Sequence, residues 1–121
     1  MTWDDAIHGH TIALKDGGRP GVLSEHSILS AISRPYDGYH RPIHKKASAL
    51  LHGVISNHGF ADANKRTALY LAELLIERSG YKLVEADQVV VETIVKVASG
   101  ELRYEELEVW FKERLTRINK P

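Results

Sequence analysis

Between Thr67 and Gly80 the chain reads TALYLAELLIERSG, a segment so nearly apolar on every face that other elements must pack around it. A helix fits it. Glu73 interrupts the run, Arg78 falls in the last turn where a cation suits the helix dipole, and Gly80 stands just past the end. This should be the central and most buried helix. The other segments then have to supply amphipathic partners, and no alternation of strands and helices of the kind a parallel sheet needs is present.

Partners can be read on both sides. From Thr2 to about Lys15 a short helix is expected, with Thr2 and Asp5 at capping-box spacing and Trp3, Ile7 and Leu14 apolar. DGGRPG breaks it, after which Ser24 can cap a helix carrying Ile28, Leu29 and Ile32 until Pro35 stops it. RPYDGYHRP, with two prolines and an Asp-Gly pair, reads as an irregular loop or a small hairpin. Ile43, Ala47, Leu50, Leu51, Val54 and Ile55 then keep the rhythm of a core-facing helix that ends near Asn57. DQVVVETIVKVASG is rich in β-branched residues, yet its spacing between an Asp cap and a Gly stop is helical. In YEELEVWFKERLTRI, Leu107, Trp110, Phe111, Leu115 and Ile118 form one stripe, with Trp110 and Phe111 in the core, and an NKP tail follows. The expectation is an all-α, single-domain helical bundle over residues 1–121.

The chain has 121 residues, 43% of them hydrophobic, enough to close one core and too few for two. Sixteen acidic and sixteen basic residues balance, so no global field draws in nucleic acid or an anionic membrane, and direct nucleic-acid binding is not expected. A helix-turn-helix is disfavoured further by a central helix too apolar to lie in a groove. The absence of cysteine removes disulfides, thiolate metal sites and thiol catalysis, and suits a reducing cytoplasm. No apolar run approaches a membrane span, and MTWDDAIHGH lacks the plan of a signal peptide, so a soluble, cytoplasmic protein is expected.

Immediately before the apolar helix stands HGFADANKR. If that helix starts near Ala63 or Asn64, DANKR lies over its first turn, where unpaired N–H groups and the positive end of the dipole favour an anion. Lys65 and Arg66 oppose that dipole at up to about 1 kcal/mol each while no anion is bound. A bound phosphate reverses the sign. Asn64 can cap the helix or donate to a phosphate oxygen, and Arg66 has the fork geometry that suits phosphate. Asp62 alone has the wrong charge for an anion, which makes sense if Mg²⁺ lies between it and the phosphates. His58, four residues earlier, could accept a proton from an attacking hydroxyl, and Phe60 between them should turn inward as an anchor. Singly, each residue has a bland reading: a satisfied helix-end histidine, an N-cap aspartate, a solvated pair of cations. Together they describe phosphoryl or nucleotidyl transfer by positioning and electrostatics.

HGFADANKRTA also resembles the signature of the Fic/Doc family, a His-x-Phe-x-Asp/Glu-Gly/Ala-Asn-Gly/Lys-Arg loop joining two helices of an all-α fold, and it is most similar to the Doc, or death-on-curing toxin, branch. The likeness runs from GRPGVLSEHSILSAISRP through NHGFADANKRTALYLAELLIERSGYKL to VASGELRYEEL. It implies His58 as general base, Phe60 as loop anchor, Asp62 as metal ligand, and Ala63, Asn64, Lys65 and Arg66 as the nucleotide- and phosphate-binding turn. Family members that transfer AMP usually have Gly where this chain has Lys65, and a second arginine where it has Leu69. Doc proteins share both changes and are associated with moving the terminal phosphate of ATP to a hydroxyl of elongation factor Tu. The resemblance therefore implies a Ser/Thr phosphotransferase toxin using ATP and Mg²⁺ to block translation, with AMP transfer as the alternative. A catalytically weak nucleotide- or partner-binding module is a further alternative, whose support is Gly59, a departure expected to loosen the loop.

Tyr36, Asp37, Gly38 and Tyr39 resemble the family's flap, which aligns a target segment by strand addition, although an ordinary exposed loop fits as well. The inhibitory Ser/Thr-x-x-x-Glu-Gly/Asn segment of members restrained in cis is not found, which implies a small antitoxin protein binding across the active-site groove. His40 and His44 have i, i+4 spacing but no third ligand for zinc; His8, His10, His26 and His52 stay unassigned.

Overall fold

The computed structural model describes residues 1–36 and 42–118. Helix α1 (Trp3–Ala13) is followed by a 3₁₀ turn at Leu14–Asp16, α2 (Glu25–Ser33) by another at Arg34–Tyr36, and then come α3 (Ile43–Asn57), α4 (Asn64–Arg78), β1 (Tyr81–Leu83), α5 (Asp87–Ser99), α6 (Tyr104–Arg114) and β2 (Leu115–Arg117). The all-α expectation holds. No helix among the described residues is long and apolar enough to cross a membrane.

Helix starts follow local chemistry. The Thr2 hydroxyl accepts from the Asp5 N–H while the Asp5 carboxylate accepts from the Thr2 N–H, so the capping box is complete. Ser24 caps α2 through the Ser27 N–H at 3.1 Å. The buried face of α1 is not the large apolar set expected from sequence. It is Ala6, Gly9, His10 and Ala13, at i, i+3, i+4 and i+7, and small residues win because α4 lies so close. A Cβ at Gly9 would stand 2.7 Å from the ring of Tyr70. In α2, Ile28, Ala31 and Ile32 face inward while Leu29 is exposed.

Helices α3 and α4 run side by side and share the core. Leu50, Leu51, Val54 and Ile55 of α3 meet Ala68, Leu71, Leu75 and Ile76 of α4, with Phe60, Leu107 and Phe111 filling between elements. Each such large side chain contributes about 1.5–3 kcal/mol by leaving water. Helix α3 buries eight residues and α4 six, so the central position belongs to the pair and not to α4 alone.

Three local expectations need correcting. Arg34–Tyr36 form a 3₁₀ turn, because proline tolerates the first turn of a helix, and the remaining residues 37–41 of the expected loop or hairpin lie outside the described residues. Ala86, not Asp87, occupies the N-cap of α5, and there the Glu85 carboxylate accepts from the Ala86 N–H. The last helix stops at Arg114, so Leu115 and Ile118 leave its stripe, and Trp110 is only partly buried, under the Arg114 guanidinium at 4.7 Å. Residues 115–117 instead pair antiparallel with β1, Tyr81 opposite Arg117 and Leu83 opposite Leu115. Flanking bonds from Val84 N–H to Arg114 C=O and Ile118 N–H to Gly80 C=O extend the ladder.

Candidate functional site: the turn between α3 and α4

The six residues from His58 to Ala63 turn the chain from α3 into α4, and both ends of the turn are left-handed: His58 at φ 47° closes α3 and Ala63 at φ 61° opens α4. Histidine is among the residues enriched in that region. Alanine is not, and the strain of about 1–2 kcal/mol explains why glycine is the other residue of the signature here. Phe60, 2% exposed, anchors the turn in the core as expected.

The Asn64 side chain sets the shape of the turn. Its Oδ1 accepts from the Phe60 N–H and its Nδ2 donates to the Phe60 carbonyl, both at 3.1 Å. One donor and one acceptor of the amide are thus engaged with the loop backbone, a third use beyond the two expected from sequence. Two such bonds contribute about 1 kcal/mol each. Arg66 likewise serves the fold. Its guanidinium donates to the Ala13 carbonyl and, at 2.7 Å, to the Gly17 carbonyl, binding α4 to the open C-terminal end of α1.

Gly59 does the opposite of loosening. A Cβ there would stand 2.4 Å from Cγ1 of Ile28 and 3.3 Å from its backbone nitrogen, and the Gly59 carbonyl accepts from the N–H groups of both Leu23 and Ser24. The residue is glycine because α2 passes too close for anything else. Residues 19–24 line the turn throughout, with Ala61 N–H donating to Gly21 C=O and Val22 bridging to Phe60. The Asn57 amide ties the end of α3 to the Ser27 carbonyl at 3.1 Å.

Each Asp62 oxygen accepts one main-chain N–H: Oδ1 from Ala63 at 2.8 Å and Oδ2 from Arg19 at 3.1 Å. Those two bonds, in that order, and then the charges of Arg19 and Arg66, hold its carboxyl below the usual carboxylate range, so it is ionised at neutral pH. Both oxygens keep lone pairs to spare. One carboxylate of this kind suits Mg²⁺ that takes its other ligands from phosphate and water. No group of three or more His, Asp or Glu able to hold a metal by themselves occurs among the described residues, and His44 accordingly finds no such partners.

Helix α4 opens without a side-chain cap, and no acceptor among the described residues reaches the N–H groups of Asn64, Lys65 and Arg66. The His58 and Lys65 side chains are exposed at the same end of the helix pair. The structure thus gathers an imidazole, an ionised carboxylate, three unpaired amides and an ammonium on one turn. Tyr36 is not part of it. Its hydroxyl meets the N-terminal ammonium of Met1 at 2.5 Å, at the Asp5 and Arg78 end of α1 and α4, whereas the turn lies at the Asn64 end of a helix about 22 Å long. Asp37, Gly38 and Tyr39 lie outside the described residues.

A further residue that packs on the turn, His10, does not stand out in the sequence. It is 6% exposed, stacks on Phe60 with ring centroids 3.9 Å apart, and places Nε2 3.0 Å from the Asp62 carbonyl. A carbonyl only accepts, so Nε2 carries a proton and donates. The available signal is its place one turn from Ala6 and Ala13 on the small-residue face of α1.

Compared with known protein families, residues 4–76 match the Fic/DOC family. Members of that family are transferases acting on protein hydroxyls. Among curated proteins none matches the chain.

Proposed function

Because the chain belongs to the Fic/DOC family, we propose that it transfers the terminal phosphate of ATP to a Ser or Thr hydroxyl of a protein target, as the toxin of a toxin–antitoxin pair. The observation that carries this reading is the uncapped opening of α4, three consecutive N–H groups free of protein acceptors, beside ionised Asp62 and exposed His58. Amides fixed in a helix end need no reorganisation to receive phosphate oxygens. Lys65 adds a mobile positive charge.

His58 accepts the proton of the target hydroxyl, the oxygen's electron pair forms the new bond to the γ-phosphorus, and the bond from that phosphorus to the bridging oxygen breaks, so that ADP leaves with its electrons. A positioned base of this type is worth about 10²–10⁴ in rate. Asp62 would hold Mg²⁺, which when bound neutralises charge on the phosphates. Asn64, His10 and residues 19–24 keep the turn in shape around these groups.

Leu69 favours phosphate over AMP transfer. It is partly buried against the core, in the place where AMP-transferring relatives carry an arginine. Elongation factor Tu is the target suggested by the likeness to Doc proteins, and a small antitoxin lying across this turn is the corresponding restraint. Cell lysate incubated with the protein and ATP labelled separately at the α and γ positions tests the reading. Label should pass to a protein band from γ alone, and His58→Ala should abolish it. Transfer of α label would establish AMP transfer instead, and transfer of neither would contradict both.

A further inference from the structure

Arg19 is exposed, and its guanidinium makes no ion pair or hydrogen bond among the described residues. Its backbone is nevertheless among the most constrained near the turn. The Arg19 N–H donates to Asp62 Oδ2, Pro20 follows, and the next residues are fastened to the turn through the bonds at Gly21, Leu23 and Ser24. Gly18 and Gly21, at φ 119° and 122°, bend the chain so that this contact is possible. A Cβ at Gly18 would lie 3.2 Å from Asp62 Oδ2 and 3.3 Å from Arg66 Nη2, at a φ that residues with a side chain rarely adopt, so glycine suits the close approach.

The outcome is a cation that acts on the carboxylate through its charge but forms no ion pair with it. Arg66, the arginine of the signature, spends guanidinium donors on the carbonyls of Ala13 and Gly17, and the position of a second signature arginine is the half-buried Leu69. Asn64 has one donor and one acceptor occupied by Phe60. Of the guanidinium groups among the described residues at this end of the helix pair, which alone can grip a phosphate by two parallel bonds, that of Arg19 makes no hydrogen bond or ion pair.

We infer that Arg19 contacts the phosphates of the bound nucleotide, supplying from the 17–21 turn the clamp that Leu69 cannot supply. The inference rests on the nucleotide reading above. Its physical basis is preorganisation: the main chain carrying the guanidinium is already immobilised, so binding has only the side chain left to order.

Titration calorimetry on the full chain with Mg²⁺ and a non-hydrolysable ATP analogue, and separately with inorganic tripolyphosphate, tests it in the wild type, Arg19→Ala and Arg19→Lys. Arg19→Ala should weaken both ligands about tenfold, as expected for loss of a charge-assisted hydrogen bond, and Arg19→Lys less. Every variant keeps the backbone N–H to Asp62, so the melting temperature should not move. If the wild type binds and Arg19→Ala binds equally well, the role of Arg19 is overturned while the nucleotide reading stands. A fall of several degrees in melting temperature would mean that the guanidinium serves the fold, and would overturn it too. If the wild type binds neither ligand, the nucleotide reading and this inference fall together.

Discussion

A valine at position 59 would have to displace Ile28, whose Cγ1 stands 2.4 Å from where the new Cβ would go. Overpacking of this kind costs about 1–3 kcal/mol, and Gly59→Val should lower the urea midpoint accordingly; an unchanged midpoint would mean that the turn is as loose as the bare glycine suggested. This residue shows what a single sequence withholds. That His58, Asp62 and Lys65 stand together before the opening of α4 can be read from the spacing of the motif. The reason for Gly59 cannot, since it lies in α2, thirty-one residues away (59 − 28). The contact of Asn64 with the loop is hidden for a similar cause: local chemistry does not show that the backbone of Phe60 engages part of its amide.

At the scale of the element, α1 is more than a cover for α4. Its capping box is legible because both partners lie within one turn, but its working face is not, because Ala6, Gly9, His10 and Ala13 are weakly apolar and reveal themselves only against Tyr70 and Phe60. His10 joins the helix to the turn through Phe60 and the Asp62 carbonyl. His10→Phe keeps the stack on Phe60 and removes the donor to the Asp62 carbonyl. The lost bond to this part-buried carbonyl costs about 1 kcal/mol, so the melting temperature should fall. The Mg²⁺ concentration for half-maximal transfer should rise with it, while His10→Ala, which also loses the stack, should be worse in both. A His10→Phe protein that melts lower yet keeps the wild-type Mg²⁺ dependence would reduce His10 to a core residue. The C-terminal element departs from its sequence pattern in a different way. Leu115 and Ile118 continue a helical stripe on paper, and the pairing of residues 115–117 with β1 overrides that local periodicity, as long-range contacts can over three residues.

Across the whole molecule, stability should depend on pH through His52 and His44. Burial first, and then the charge of Arg34, pushes the His52 imidazole below its ordinary value; burial and then Lys112 do the same for His44. The unfolded chain therefore takes up protons first, near the ordinary histidine value of about 6.5. Stability is complete above that pH and declines as pH falls through it toward the folded values. His52 Nδ1 is also buried without a partner among the described residues. His52→Phe should raise the melting temperature and flatten its decline between about pH 7 and pH 5; parallel profiles for mutant and wild type would exclude His52 as a source. Charge balance leaves the molecule without a net field and the absence of cysteine leaves it without disulfides, so the fold depends on which helix faces meet. The central claim is local, that a polyphosphate with its magnesium rests on the opening of α4 between Asp62 and His58. Amide resonances of isotope-labelled protein, followed as Mg²⁺ and ATP are added, test it most directly. Those of Asn64, Lys65 and Arg66 should shift most, and Asp62→Asn should remove the dependence on Mg²⁺. Shifts confined to other elements, with these three amides unmoved, would contradict it.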